Sequence, residues 1–483
     1  MKYFIKFWNK GNQSLGTSTF YLLIMMLLLR IVSLPLYPLM DTTEGRYGEI
    51  ARKMAEMNDW VTPWFGTGVP FWGKPPLAFW MSALGIKIFG VNEFAVRFPQ
   101  FLASLLVVIV AYNWAKRILI NPFYVIAILS SSFLFMAMSG AVTTDMVLCA
   151  GSTLSISSFW LSLRGIESDR VYHQYLFFIG LSIMLLAKGP VGWVLVLMPI
   201  GLWAFLTGSI KETWKELSWF TGCILAILVA LPWYLLAEKH TPGFLNYFFV
   251  GEHWKRFTVP GWNGDLYGTA HARPRGSIWL FLVAATFPWF LIYPVSAWLS
   301  NKKNNIQEKF KDRQFKLYLL LTGLSPCIFF TMSGNVLITY VLPGIPSLAL
   351  LLTITLGEIK EKVAKKLLFT GVLIGSLTMG CALILLTIGH IGDSKSAKAI
   401  VDLYNAQQSS NPLVFFNDRQ FSSMFYSRGK VINVKSLKEV DEMSKSSPVY
   451  IAITKSQSSA LGAQSAIFTL VGDGGDYHLF LRK

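Results

Sequence analysis

Charge is what this chain has least of. Only 14% of its 483 residues are charged, against about a quarter in ordinary soluble domains. A chain so poor in charge is neither a disordered protein nor a typical cytosolic enzyme. Cysteine is also scarce. Cys149, Cys223, Cys327 and Cys381 all lie inside apolar runs, which excludes a secreted disulfide scaffold and reads as four small buried hydrophobes. No glycine-rich phosphate loop follows a strand-like segment, which argues against a nucleotide-driven pump. The sequence shows neither an internal repeat nor a low-complexity tract.

Apolar sequence is abundant instead: 53% of residues are hydrophobic and 15% aromatic. Several runs exceed the roughly 18 nearly uncharged residues that cross a bilayer as a helix. The pattern predicts about eleven spans, and up to about thirteen. They fall near 18–36, 94–114, 119–138, 143–163, 173–188, 190–207, 219–237, 277–299, 317–332, 336–356 and 367–389. The first run follows Lys2, Lys6 and Lys10 and has no small-residue cleavage site, so it is expected to remain as an anchor.

The formal charge of +17 raises the question of nucleic acid. The basic residues answer it by position: they concentrate in short loops, including Lys116–Arg117 and Lys360, Lys362, Lys365 and Lys366. That bias marks cytoplasmic loops, so the charge reports topology and no nucleic-acid partner is expected. With the N-terminus inside, an odd number of spans puts the C-terminus outside. Segments 38–93, 238–276 and 390–483 then share the extracytoplasmic face. The chain divides into a membrane domain, 1–390, and a small extracytoplasmic α/β domain, 391–483. The latter has strand-like runs at 412–416, 449–454, 466–471 and 477–481, with helical stretches near 394–408 and 436–445.

The first outer loop carries the richest chemistry. Tyr47, Ile50, Met54 and Met57 recur at helical spacing, opposite Arg46, Glu49, Arg52, Lys53 and Glu56. This predicts an amphipathic helix on the membrane surface. Asp41 and Glu44 fit a capping box at its start. Asp41 equally fits a general base at the outer end of the first span. Further on, Gly73-Lys74-Pro75-Pro76 fixes a lysine between stiff neighbours on a tryptophan-rich segment. Lys74 is either a snorkelling surface cation or a mount for an anion such as a lipid phosphate. Asp145 near a span end fits an N-cap as well as a functional carboxylate. Trp193, Trp233 and Trp289, near span ends, read as an interfacial belt.

Taken in order, DTTEGRYGEIARKM, GVPFWGKPPLAFW, Thr144-Asp145-Met146, Lys188-Gly189-Pro190, the Glu252-His253-x-x-Arg256-Phe257 string and Thr339-Tyr340-Val341-Leu342-Pro343 resemble the landmarks of GT-C glycosyltransferases. The resemblance covers roughly residues 35–350. The nearest branch is the bacterial one holding lipid A aminoarabinose transferases and relatives of protein O-mannosyltransferases. It implies a GT-C fold, all-α and polytopic with extracytoplasmic amphipathic helices, in the bacterial inner membrane.

The resemblance further implies transfer of a sugar, an amino sugar included, from a polyprenyl-phosphate carrier to lipid A or another envelope acceptor on the outer face. A transporter or flippase of lipid-linked sugars is the alternative. Lys74, Arg256, Lys188, Tyr340 and Arg46 match positions that serve the carrier phosphate. Asp41, Glu44 and Asp145 are the candidate catalytic carboxylates, with Asp41 preferred as base. The family's Asp before the Glu of its Glu-x-Arg-Tyr motif is Thr43 here. In the aminoarabinose branch an acid precedes the lysine of Lys-Pro-Pro and joins a His in binding zinc; here that acid is Gly73. Hence His253 with Glu252 is expected to be a hydrogen-bonded structural pair, and neither metal nor other cofactor is expected.

Overall fold

The computed structural model describes residues 2–268, 271–300, 308–388, 392–416, 420–458 and 467–482. It divides into two compact units. One comprises 1–31, 60–78 and 99–380, the other 32–59, 79–98 and 381–483.

The chain is a multi-pass membrane protein, built of helices apart from a two-stranded turn at 64–70 and a small C-terminal α/β part. Among the described residues six helices are long and apolar enough to cross a bilayer: Glu93–Arg117, Asp145–Arg164, Glu167–Lys188, Trp219–His240, Ile338–Gly357 and Glu361–Thr387. Two bent pairs, Ile5–Leu15 with Thr17–Ser33 and Ser277–Ala285 with Trp289–Ser300, raise the number to eight. The expected eleven is therefore not reached. The apolar run at 119–138 is broken at Ser132 into Pro122–Ser131 and Phe133–Met138. That at 190–207 yields only the 16 residues of Val191–Leu206. The run at 317–332 forms Glu308–Phe330, a helix whose first turns carry charge. Hydropathy counts apolar length, whereas breaks depend on local backbone chemistry that a window average smooths away.

In the first unit Asp145–Arg164 packs closely on Arg170–Lys188. A Cβ at Gly180 would lie 2.6 Å from the Gly151 carbonyl, so small residues set this approach. Ser155 donates to the Phe177 carbonyl across the pair at 2.8 Å. Trp203, Tyr318, Phe159 and Phe177 are fully buried; the rings of Phe159 and Tyr318 stack at 5.8 Å. Of the three tryptophans expected in an interfacial belt, Trp193 is half-buried and the other two are internal. Trp233 and Trp289 are buried and donate to the Val61 carbonyl at 2.9 Å and Ser131 Oγ at 3.2 Å. Burial leaves an indole N–H needing an internal acceptor, and both find one. Cys149 and Cys327 are buried as expected, but Cys381 is exposed on its helix.

The second unit holds a five-stranded sheet in the order Ile432–Val434, Leu413–Phe416, Val449–Thr454, Tyr477–Arg482, Phe468–Gly474. The first three strands are parallel, with Leu413 opposite Tyr450; the last two are antiparallel, with Tyr450 opposite Leu481. Val449, Ile451 and Ile453 face one core with Val440, while Tyr450 and Ala452 face another with Ile400 and Val401. A strand apolar on both faces needs cover on both, and Lys398–Ala406 and Leu437–Ser444 provide it.

Helix Thr43–Met57 belongs to this unit, and part of its charged face is buried. Glu49 and Arg52 are 1% and 3% exposed. Arg52 binds Glu49 through Nε and Nη2, both at 2.7 Å, and also reaches Glu56. The buried charges Glu49 and Arg52 are satisfied by each other, while Glu56 stays exposed.

Candidate functional site: a cation-lined cavity

The first unit encloses a cavity of about 310 Å³. Lys74, Lys188, Arg256, Glu252 and Tyr340 line it together with Phe249, Phe329, Phe330, Val191 and Val194. Cations, one acid and one phenol thus meet an aromatic and aliphatic wall.

Lys74 is held by its loop. Strands Trp64–Gly66 and Val69–Pro70 form a tight antiparallel turn, closed by Phe71 N–H to the Pro63 carbonyl at 2.7 Å. Trp72 N–H donates to Tyr267 Oη at 2.9 Å and its indole to Thr241 Oγ1 at 3.0 Å. Gly73 then passes the chain to Lys74, and Pro75 and Pro76 fix its exit. Lys74 Nζ donates to the Gly73 carbonyl at 2.6 Å and to Glu252 Oε1.

Glu252 and Arg256 come from the π-helix Tyr247–Lys255 and the short α-turn Arg256–Thr258 that continues it. Wide π-turns are rare and recur at functional sites. Arg256 Nη1 donates to both oxygens of Glu252, at 2.9 and 3.0 Å, and lies 3.2 Å from Asp265 Oδ2. The segment is braced by Asn335, whose Nδ2 donates to the carbonyls of Arg256 at 2.6 Å and Val259 at 2.8 Å. Burial pushes the Glu252 carboxyl up, yet Lys74 and Arg256 outweigh it and hold the group below the usual carboxylate range. Burial lowers the Arg256 pKa, but Glu252 and further neighbours reverse this and leave it raised.

Lys188 ends its helix and pairs with Asp145 at the start of another. Its Nζ sits 4.5 Å from the centre of the Tyr340 ring, a cation–π contact. Gly189 follows with φ +86°. A Cβ there would lie 2.6 Å from the Phe248 ring, so this turn requires glycine.

His253 is not paired with Glu252 as expected. Its Nδ1 lies 2.8 Å from the Phe248 carbonyl and its Nε2 3.2 Å from the Lys188 carbonyl. Burial lowers its pKa. With both nitrogens against carbonyl oxygens and glycine at 73, these residues do not fit a zinc site. Among the described residues no group of three or more His, Cys, Asp or Glu is gathered as metal ligands would be.

Asp41, Glu44 and Arg46 belong to the second unit. Asp41 does not cap its own helix, which starts after Thr42. Its carboxylate accepts from Phe421 N–H at 3.0 Å, from Ser422 N–H at 3.1 Å and from the Ser422 hydroxyl, and so caps helix Phe421–Tyr426. Glu44 accepts from Arg97 at 3.1 and 2.7 Å. Arg97, wholly buried, also donates to the Leu34, Tyr37 and Pro38 carbonyls at 2.9, 2.7 and 2.9 Å. The Arg46 guanidinium lies 5.3 Å from the Tyr47 ring centre and 5.8 Å from that of Phe421.

Lys74, Lys188, Arg256 and Tyr340 are thus brought to one cavity, with Asp145 attached through Lys188. Sequence reasoning missed Asp265 and Asn335. Both lie in glycine-containing turns, Asn263-Gly264-Asp265 and Ser333-Gly334-Asn335, whose only local signal is the turn itself.

Residues 17–248 match the family described as dolichyl-phosphate-mannose-protein mannosyltransferase. An undecaprenyl phosphate-alpha-4-amino-4-deoxy-L-arabinose arabinosyl transferase of Pseudomonas fluorescens is 30% identical over 349 residues, 70% of this chain and 59% of that protein. Its counterpart in Pseudomonas paraeruginosa is 31% identical over 377 residues, 76% of this chain and 64% of that protein. The chain therefore spans about three-fifths of the length of the curated relatives it matches. The crystal structure of ArnT from Cupriavidus metallidurans in the apo state superposes with TM-score 0.76 at 20% identity, covering 95% of this chain and 97% of that one. The same protein bound to undecaprenyl phosphate gives 0.76 at 19%.

Proposed function

We propose that this chain, an aminoarabinose-transferase-like protein of the GT-C fold, transfers a sugar from a polyprenyl-phosphate carrier to lipid A or another cell-envelope acceptor at the extracytoplasmic face of the inner membrane. The single observation that carries this reading is the cavity in which Lys74, Lys188, Arg256 and Tyr340 face aromatic and aliphatic walls. A lipid phosphate needs such a mixture: fixed cations for its oxygens and apolar surface for its first isoprene units. The relatives' printed names, which specify an undecaprenyl-phosphate donor, support the same chemistry.

The geometry supports the following division of labour. In transfer the anomeric carbon loses the phosphate, which takes the bonding electron pair and gains charge. Arg256 and Lys74 receive that charge, and Lys188 and Tyr340 complete the phosphate's surroundings. Asp145, held by Lys188, is our choice for the carboxylate that takes the acceptor's proton. Asp41 and Glu44 stay in the candidate set, although Ser422 and Arg97 already engage them. We place the N-terminus in the cytoplasm and the α/β segment from 391 onward outside, on the basic bias of the short loops. Segments too short or bent to count by length then complete the crossing pattern toward eleven.

The test is direct. The purified full chain in detergent is given a labelled polyprenyl-phosphate sugar and lipid A. Label is expected to move to the acceptor, and Lys74→Ala and Arg256→Ala are each expected to lower kcat/KM on the order of a hundredfold or more. Movement of lipid-linked sugar across proteoliposomes without any transfer in detergent would overturn the enzyme reading in favour of a flippase.

A further inference from the structure

We infer that Glu252 is a built-in competitor of the carrier phosphate, which sets how readily the spent carrier leaves; this rests on the phosphate reading above. Glu252 is the acid that touches both phosphate-binding cations. Its Oε1 takes Lys74, and both oxygens take Arg256 Nη1. Its side chain is only 5% exposed, yet it forms part of the cavity wall. Asp265 adds a second carboxylate to Arg256 from outside that wall.

Two consequences follow. Glu252 holds donors of both cations, with Gly73 and Asp265 holding others, so Lys74 and Arg256 are restrained together. Arg256 commits only Nη1 in these contacts, leaving Nε and Nη2, and Lys74 keeps one of three N–H groups beyond Gly73 and Glu252. Glu252 also offsets one of the two positive charges of Lys74 and Arg256, and Asp265 offsets the other. An entering phosphate meets cations whose charge is already partly spent, and a buried carboxylate close to its own oxygens repels it.

That repulsion grows at one moment of the reaction. The phosphodiester donor carries a single negative charge, whereas the released phosphomonoester can carry nearly two near neutral pH. The fixed acid therefore disfavours product more than substrate. Cations alone would grip the product hardest and slow turnover; Glu252 opposes that. The cost is looser binding of donor, and the gain is release of carrier.

The test uses the full chain in detergent and undecaprenyl phosphate as probe. Glu252→Gln keeps the shape and removes the charge. It is expected to bind undecaprenyl phosphate on the order of tenfold more tightly, to lower the KM for the donor, and to lower kcat with stronger product inhibition. Glu252→Asp keeps the charge and should restore release toward wild type. Asp265→Asn, which frees Arg256 alone, should change affinity in the same direction by less, and serves if the Glu252 variants do not fold. Unchanged or weaker probe binding by Glu252→Gln, or by Asp265→Asn where Glu252→Gln fails to fold, with the wild type binding normally, overturns the competitor role alone. Failure of the wild type itself to bind the probe, or binding indifferent to Arg256→Ala, overturns the phosphate reading beneath it.

Discussion

Arg256 shows what a single residue type contributes. One of its nitrogens spans both oxygens of Glu252 and approaches Asp265, while the planar fork keeps further donors for a ligand. A lysine at this position supplies charge without the fork. Arg256→Lys is expected to fold and to lose about ten- to hundredfold in kcat/KM, read in the transfer assay. Glu252 makes a separate prediction about pH. Its pKa is lowered from the model-peptide value of 4.5, so the unfolded chain binds this proton more readily than the folded one. The stability it contributes is complete above about pH 4.5 and is lost as pH falls through its lower folded value. Acid melts should therefore show wild type losing stability below that pH more steeply than Glu252→Gln. Parallel curves would contradict the direction of the shift.

At the scale of elements, two backbone features decide where the side chains end. Gly189 lets Lys188 leave its helix in a conformation with φ +86°, against the Phe248 ring. Gly189→Ala is expected to cost about 1–3 kcal/mol and most of the activity, measured as Tm and transfer rate together. In the other unit the segment 34–38 is tied by three carbonyls to Arg97, and Glu44 neutralises it. Arg97→Met removes the cation that Glu44 and the three carbonyls engage, from a site where Glu44 is only 7% exposed. We expect about 3–5 kcal/mol of destabilisation, visible in thermal melts; a variant as stable as wild type would show Glu44 to be otherwise satisfied. In helix Thr43–Met57 the pairing of Arg52 with Glu49 lets part of the charged side be buried, a contact that the amphipathic pattern alone does not foretell.

At the scale of the molecule, the C-terminal segment does more than its composition suggests. Ser422 and Phe421 receive Asp41, Tyr426 accepts from Leu39 N–H at 2.7 Å and donates to Glu93 at 3.0 Å, and Lys398 pairs with Glu93 at 2.7 Å. Truncation after residue 391 strips partners from Asp41, the Leu39 N–H and Glu93. It is expected to lower the Tm and the yield of folded protein, and Asp41→Asn is expected to lower stability as well as transfer. Loss of transfer by Asp41→Asn at unchanged Tm would instead assign Asp41 to chemistry.

Membrane character, the order of the motifs and most strands of the α/β part were readable from residues. Each rests on local pattern: uncharged length, proline and tryptophan around Lys74, and apolar runs at 413–416 and 449–454. Two small elements, Ile432–Val434 and Phe421–Tyr426, escaped because their existence depends on neighbours far along the chain. The number of crossing helices likewise depended on breaks at single residues. What only the tertiary structure decided was which charges meet. Lys74 and Glu252 are 178 residues apart, and Lys188 and Asp145 are 43 apart. An ion pair leaves no periodicity in a sequence; it exists because folding removes two groups from water and gives each no better partner than the other.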